Sequence, residues 1–384
     1  MAPEVVTLAP GFVVSRIAKG NWQLAERHGA PYARESAIED MRRFVEAGIT
    51  LFDCADHYVG VEPLIGEFRR RHPDHARRLR VSTKLVPDLE SLPRLRRRDV
   101  EHIVDTSLKR LGQERLDLVQ FHWWDYRVPG YVEAMHWLAD LKSAGKVELI
   151  GTTNFDTARL SEIVASGVSV ATNQLQYSVL DHRPEHGLAA FCAARGIKLL
   201  CYGTLAGGFI GARWLGAPEP RPPFANRSLV KYRLIIDDFG GWRRFQELLS
   251  VLDAIAKRHG VGIGSVAIRY VIDKPGVSVA IVGAQNAAHL HDLVQPVTLD
   301  DHDRAAIARV VAQAAGPRGD CYELERVEHG PHSMIMWKNQ NAGGAPADGP
   351  YADAPPIVLG APKGPPDPPR SDTPRLSRGA PRED

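Results

Sequence analysis

Three short apolar runs in this 384-residue chain end in ionisable side chains. Thr50-Leu51-Phe52-Asp53 ends in a carboxylate, Val81-Ser82-Thr83-Lys84 in an ammonium and Leu118-Val119-Gln120-Phe121-His122 in an imidazole. Tyr58 follows Asp53 by five residues, within a loop short enough to fold back over the same rim. A lysine withdrawn from water needs a counter-charge, which Asp53 supplies; its own charge then favours ionisation of a neighbouring phenol, whose ordinary pKa is about 10. Tyr58 becomes a proton donor by this reasoning. His122 becomes a hydrogen-bonding partner for a carbonyl oxygen on which charge develops as hydride reaches carbon. Any one of these residues alone is more often a turn, surface or packing residue. Only a scaffold that brings the ends of adjacent strands to one rim makes them a set.

The rest of the chain predicts such a scaffold. Apolar runs consistent with strands cover Ser15 to Trp22, Ile49 to Asp53, Leu79 to Lys84, Leu116 to His122, Val147 to Thr152, Val170 to Gln174, Ile197 to Tyr202 and Val277 to Val282. Between them, apolar residues three and four apart predict helices, including Glu35 to Ala47, Val100 to Leu111, Tyr131 to Ala144, Thr157 to Ser166, Glu185 to Arg195 and Phe245 to His259. Each is followed at once by glycine, where a left-handed cap costs least. Eight strands with helical crossovers predict an α/β chain folded as a (β/α)8 TIM barrel over residues 1–338, with its main insertion, Ala206 to Trp242, after strand seven. An open doubly wound sheet is the rival, but no GxGxxG follows the first strand. The stretch from Asn339 to Asp384 is crowded with Pro, Gly and Ala, and is expected to be a disordered tail with polyproline character. In a parallel barrel the active site lies at the carboxyl ends of the strands, where Asp53, Lys84 and His122 fall.

Together these segments resemble the aldo-keto reductases. The resemblance rests on Asp53-Cys54-Ala55-Asp56-His57-Tyr58, Ser82-Thr83-Lys84, Gln120-Phe121-His122, Gly151-Thr152-Thr153-Asn154-Phe155 and Asn173-Gln174-Leu175-Gln176-Tyr177-Ser178, in the family's order from about Ser15 to Ala314. It implies that Asp53, Tyr58, Lys84 and His122 are the catalytic tetrad, with Tyr58 as the acid. It further implies a nicotinamide cofactor across the barrel mouth, with Asn154 and Gln174 at its carboxamide and Tyr202 stacked on its ring. Trp22 and Asp53 are expected beside it, and Gly203, Thr204, Leu205, Ala206 and Gly207 over its pyrophosphate. Gly283, Gln285, His289 and Asp292 are expected at its adenosine end. That last segment departs from many relatives, because no Lys or Arg stands between Gly283 and Asp303 to meet the 2′-phosphate of NADPH. Arg213, in the insertion, aligns with a basic position in some relatives, so NADP(H) is preferred over NAD(H). Leu293 stands where the family often has Asn.

The expected substrate is a small carbonyl or alcohol held by Trp22, Tyr58, His122 and Trp123. Trp22, Trp123, Trp124 and the aromatic residues of the insertion, Phe209, Trp214, Phe224, Tyr232, Phe239 and Trp242, either line a broad apolar pocket or pack the loops against the barrel. Two other readings compete. Asp53, Asp56, His57 and His122 suggest a metal-dependent barrel hydrolase, though Lys84 would stand as a cation among the ligands and no HxH pair occurs at an early strand end; hence no metal is expected. A non-catalytic nicotinamide-binding regulatory subunit would not require the whole tetrad. Lys+Arg 48 against Asp+Glu 46 leaves a net charge of +2, too small a surplus for a dedicated nucleic-acid binder, and Arg69-Arg70-Arg71 and Arg94-Leu95-Arg96-Arg97-Arg98 are expected as solvated faces. Four scattered cysteines, the absence of a signal-like N-terminus and the lack of a run of roughly 20 apolar residues predict a cytoplasmic protein away from membranes.

Overall fold

The computed structural model describes residues 3–26, 28 and 31–339. The tail expected over 339–384 lies outside the described residues except for Asn339, whose side chain exchanges hydrogen bonds with Glu90.

The chain begins with a hairpin, β1 (Val5–Ala9) and β2 (Phe12–Ser15). There follow β3 (Ile17–Gly20), β4 (Leu51–Asp53), β5 (Arg80–Leu85), β6 (Leu116–Phe121), β7 (Val147–Thr153), β8 (Thr172–Gln176), β9 (Lys198–Tyr202) and β10 (Val277–Gly283). The last eight close a parallel barrel in that order, β10 pairing with β3. This is the (β/α)8 architecture that the alternation of runs predicts. Alternate residues on a strand share a face, so each inward-facing position recurs every second residue. Leu51, Leu118, Leu149, Leu200 and Val279 form an apolar floor inside the barrel, capped by Phe12 and Val14 of the hairpin. Two residues further along, Gln120 donates to Ser82 and accepts from Thr172. Gly151 belongs to this level because a Cβ there would stand 2.1 Å from the Thr172 hydroxyl. The next inward positions are Asp53, Lys84 and His122. The ionisable groups thus reach the mouth because each lies an even number of residues past a floor or mid-level position.

All six glycines after the sequence-predicted helices have positive φ, as at Gly112 (63°) and Gly260 (66°). Several boundaries shift. The helix expected over Glu185 to Arg195 runs only Leu188–Ala194, because Gly187 with φ 115° breaks it from the 3-10 turn Arg183–Glu185. The strand expected over Val170 to Gln174 is Thr172–Gln176. Unforeseen elements are the hairpin, whose strands lie outside the eight-fold repeat, and the helices Val61–Arg71, Arg227–Phe239, Ile263–Ile272 and Asp301–Val311. Arg69, Arg70 and Arg71 end the helix Val61–Arg71; Arg71 pairs with Glu35 and Glu67, whereas Arg69 is partly buried and not on a solvated face. No helix among the described residues is long and apolar enough to cross a membrane.

Candidate active site

The carboxyl ends of the strands open into a cavity of about 870 Å³, a size suited to a cofactor and a small molecule. Its deepest polar feature is an ion pair. Lys84 Nζ donates to Asp53 Oδ2 at 2.8 Å and to the Cys54 carbonyl at 2.7 Å. Asp53 Oδ1 accepts from Gln174 Nε2 at 2.7 Å. Both members of the pair are buried. Burial alone would drive the Lys84 ammonium toward neutrality, but the Asp53 carboxylate outweighs it and raises the lysine pKa.

Tyr58 is held over this pair by its loop. Asp56 Oδ2 accepts from Val86 N at 3.1 Å, Tyr58 N donates to the Ala55 carbonyl, and Glu26 N donates to the Val59 carbonyl. Lys84 Nζ lies 5.0 Å from the Tyr58 ring centroid, and the Trp22 ring lies 4.7 Å from it. The phenol is not acidified. Burial pushes its pKa up to about 12, more than the Lys84 charge pulls it down. The sequence-based expectation of a lowered phenol pKa weighed the cation without the desolvation that accompanies it.

His122 is buried, with Nδ1 3.1 Å from the Thr153 carbonyl oxygen. That oxygen can only accept, so Nδ1 carries the proton. Burial, reinforced by Arg326, holds the imidazole pKa well below 6.5, so Nε2 keeps a lone pair, and that atom has no hydrogen-bond partner among the described residues. The Nε2 atom is therefore an acceptor and not the donor to a carbonyl that its residue type had suggested.

Most of the expected cofactor contacts line the same cavity: Trp22, Asn154, Gln174, Tyr202, Gly203, Thr204, Leu205, Gly207, Arg213, Gly283, Gln285, His289 and Asp292. Asn154 takes a left-handed φ of 63°, which asparagine tolerates, and its Oδ1 accepts from the Tyr202 hydroxyl at 2.8 Å. Gln174 donates one N–H to Asp53, which leaves its other N–H and its carbonyl oxygen for a ligand. Two of the expected residues do not line the cavity. Ala206 is fully buried and does not line the cavity, its carbonyl accepting from Phe209 N at the back of the turn. Trp123 is also buried outside the cavity: its ring packs on Phe121 and its Nε1 donates to the Val128 carbonyl. Trp124 lines the cavity instead, set edge-on to His122 at 4.4 Å.

The glycines of the loop after β9 have a further reason to be glycine. Gly203 has φ 79°, and a Cβ there would stand 2.7 Å from the Tyr232 hydroxyl; at Gly207 it would stand 2.7 Å from the Tyr232 ring. The insertion thus packs directly on this loop. Of its aromatic residues only Tyr232 lines the cavity, while Phe209, Trp214 and Trp242 join Phe245 in a separate cluster. Residues at the cavity that the sequence did not single out include Arg227 and Lys231 from the insertion helix, Tyr322, and Met336 and Trp337. A helical-face reading of 227–232 would have grouped Arg227, Lys231 and Tyr232; nothing local marks Tyr322.

Asp53, Asp56, His57 and His122 do not assemble as a metal-binding set. Among the described residues the set that gathers is Asp300, His302 and Asp303, at the start of the helix Asp301–Val311 and away from the cavity.

The chain is similar to known proteins over most of its length. The family model described as Aldo/keto reductase family matches residues 16–312. Aldo-keto reductase YhdN of Bacillus subtilis (strain 168) is 28% identical over 312 residues, 78% of this chain and 91% of that one. Uncharacterized oxidoreductase Rv2298 of Mycobacterium tuberculosis (strain ATCC 25618 / H37Rv) is 30% identical, over 72% of this chain and 82% of its own. A crystal structure of the thermostable aldo-keto reductase Tm1743, in complex with the inhibitor epalrestat, superposes with a TM-score of 0.63 at 23% identity. It covers 80% of this chain and 99% of that one, and supports the fold.

Proposed function

The chain belongs to the aldo/keto reductase family and is an oxidoreductase, and on that premise we propose that it reduces an aldehyde or ketone to an alcohol, or runs the reverse, with Tyr58 as the general acid. The observation that carries this reading is the Asp53–Lys84 ion pair beneath the Tyr58 ring, 2.8 Å and 5.0 Å apart respectively, at the wall of one cavity.

The residues around the cavity suit a nicotinamide cofactor. Thr204 Oγ1 is buried without a partner among the described residues, and Gly20, Gly203, Gly207 and Gly283 put no side chain at the rim. Asn154, Gln174 and Tyr202 would hold the nicotinamide end, Gly203 to Gly207 the pyrophosphate, and Gln285, His289 and Asp292 the adenosine end. When bound, the cofactor supplies the hydride. NADP(H) is the preferred form: Arg213 lines the cavity and donates no hydrogen bond to any described residue, so its guanidinium is available for a phosphate.

Tyr58 holds a proton at its hydroxyl for the substrate oxygen. A pKa near 12 keeps it protonated at neutral pH, and Lys84 stabilises the phenolate left once the proton has moved. Asp53 keeps the ammonium in place and charged. His122 Nε2 then accepts the hydroxyl of the alcohol, a contact absent for the carbonyl. Trp22 and Trp124 enclose the reacting group.

The test is a fluorescence titration with NADPH and NADH, followed by a carbonyl panel with the tighter binder. Saturable binding with oxidation of NADPH by an aldehyde is expected. Binding without turnover of any carbonyl or alcohol would return the chain to a regulatory role.

A further inference from the structure

The helix Arg227–Phe239 presents one face to the cavity, with Arg227, Ser228, Lys231 and Tyr232 one and four residues apart along it. Lys231 is the informative member. Its ammonium lies 4.9 Å from the Tyr202 ring centroid, 5.8 Å from that of Tyr232 and 5.7 Å from that of Tyr322. The Tyr322 ring in turn lies 5.5 Å from the His122 ring. One tyrosine ring therefore separates this cation from the catalytic histidine.

The only carboxylate paired with Lys231 among the described residues is Glu325, at 3.7 Å, too far for a hydrogen bond. Glu325 is already engaged by Arg183, whose guanidinium donates to it at 3.0 and 3.4 Å and binds Asp181 at 2.7 Å. Burial would raise the Glu325 carboxyl, but Arg183 and Lys231 outweigh it and hold it at about 2. Arg183 thus takes the shorter contacts to both carboxylates, and Lys231 Nζ donates no hydrogen bond to any described residue in a wall of aromatic rings. Aromatic faces stabilise the charge but satisfy none of its hydrogen bonds. An ammonium in that position, at the cavity wall, keeps donors free for an anionic ligand.

We propose that Lys231 is a specificity-determining residue that takes a carboxylate on the substrate, so that this enzyme prefers carbonyl compounds carrying a carboxylate remote from the reacting carbon. This rests on the hydride-transfer reading of the cavity. A phosphate of the cofactor is the competing occupant. The position beside Tyr202, Tyr322 and His122 favours the substrate, because Arg213 and the loop after β9 lie at the phosphate end.

The test compares 4-formylbenzoate with its methyl ester, which differ in charge at one remote group. The wild-type enzyme should show a kcat/KM for the acid higher by about tenfold or more, the size expected of one charge-assisted contact. Lys231→Met, which keeps the length of the side chain, should collapse that ratio to near unity, chiefly through KM for the acid. In parallel, binding of 4-(hydroxymethyl)benzoate to the enzyme–NADP+ complex is measured by tryptophan quenching, which does not depend on turnover. Weaker binding by a similar factor in Lys231→Met supports the proposal. Equal preference for acid and ester in the wild type overturns it, and needs no variant. A comparable loss of NADPH affinity in Lys231→Met, with the acid-to-ester ratio intact, assigns the lysine to the cofactor and overturns it too. If neither these aldehydes nor the wider carbonyl panel oxidises NADPH, the proposed function falls, while the binding comparison still decides the assignment of Lys231.

Discussion

The Lys84 ammonium stands 5.0 Å from the centre of the Tyr58 ring, yet burial rather than this cation sets the resting protonation of the phenol. A lysine fixed by Asp53 lowers the cost of forming a phenolate but does not create one in the resting site. Tyr58 therefore stays protonated across the physiological range, as the proposed role of proton donor requires.

The pH dependence follows from these directions. Tyr58 has its pKa raised to about 12 and stays protonated as pH rises. His122 has its pKa lowered well below 6.5 and stays neutral as pH falls. The rate of carbonyl reduction at saturating cofactor should be level from pH 6 to pH 9. Stopped-flow single turnovers across that range check this, and an inflection near pH 7 with loss of rate above it would mean that the phenol is acidified after all.

Tyr58→Phe removes the proton and keeps the ring that packs on Trp22. Loss of a positioned acid costs on the order of a hundredfold or more in turnover. NADPH affinity should change little, since the hydroxyl acts chiefly in the transition state. Steady-state kinetics and a fluorescence titration separate the two, and near-native turnover would remove Tyr58 from its role.

The adjacent tryptophans should behave differently. Trp123 is 1% exposed and fills the layer between Phe121 and Tyr131, so Trp123→Ala should cost about 3–5 kcal/mol in urea unfolding. Trp124 Nε1 is buried at the cavity wall without a partner among the described residues. Trp124→Phe should instead raise KM, with a smaller effect on stability. Reversed outcomes would mean that the wrong tryptophan has been placed at the substrate.

This pair also shows what the sequence made legible. Asp53, Lys84 and His122 could be read because strand alternation puts them inward at the end of an apolar run. The same alternation puts Trp124 with His122 and Trp123 with Phe121, so the information was present one residue beyond the strand. Lys231 and Tyr322 were not readable in this way. They lie about 110 and 200 residues beyond His122, and their place at the mouth depends on how the insertion and the C-terminal segment pack over the barrel. The His122 tautomer likewise depends on the Thr153 carbonyl of the neighbouring strand, which residue type alone does not specify.

Arg213 offers a direct test of cofactor choice. With no cation between Gly283 and Asp303, an Arg213→Ala variant should lose about tenfold in NADPH affinity, while NADH binding falls by much less. Fluorescence titrations with both cofactors measure the ratio. An equal loss for the two would move Arg213 from the 2′-phosphate to the pyrophosphate they share.

Lys19 couples the stability of the barrel to pH. It is fully buried in β3, donates to Asn21 Oδ1 at 2.6 Å and to the Ala284 carbonyl at 3.0 Å, and lies 5.2 Å from the Phe44 ring centroid. Burial lowers its pKa to about 7, against an ordinary 10.5, with Asp40 opposing weakly. Between those two values the unfolded chain binds a proton that the folded chain does not, so stability should rise with pH through that window. Below pH 7 both states are protonated, and the cost of burying the charge is present in full. The rise approaches about 1.4 kcal/mol per pH unit for a single group. Other groups titrate in the same range, so the measurement is the difference between wild type and Lys19→Met in urea unfolding at pH 7.5, 8.5 and 9.5. The wild type should gain on the variant as pH increases, and parallel curves would mean that Lys19 keeps its charge in the folded barrel.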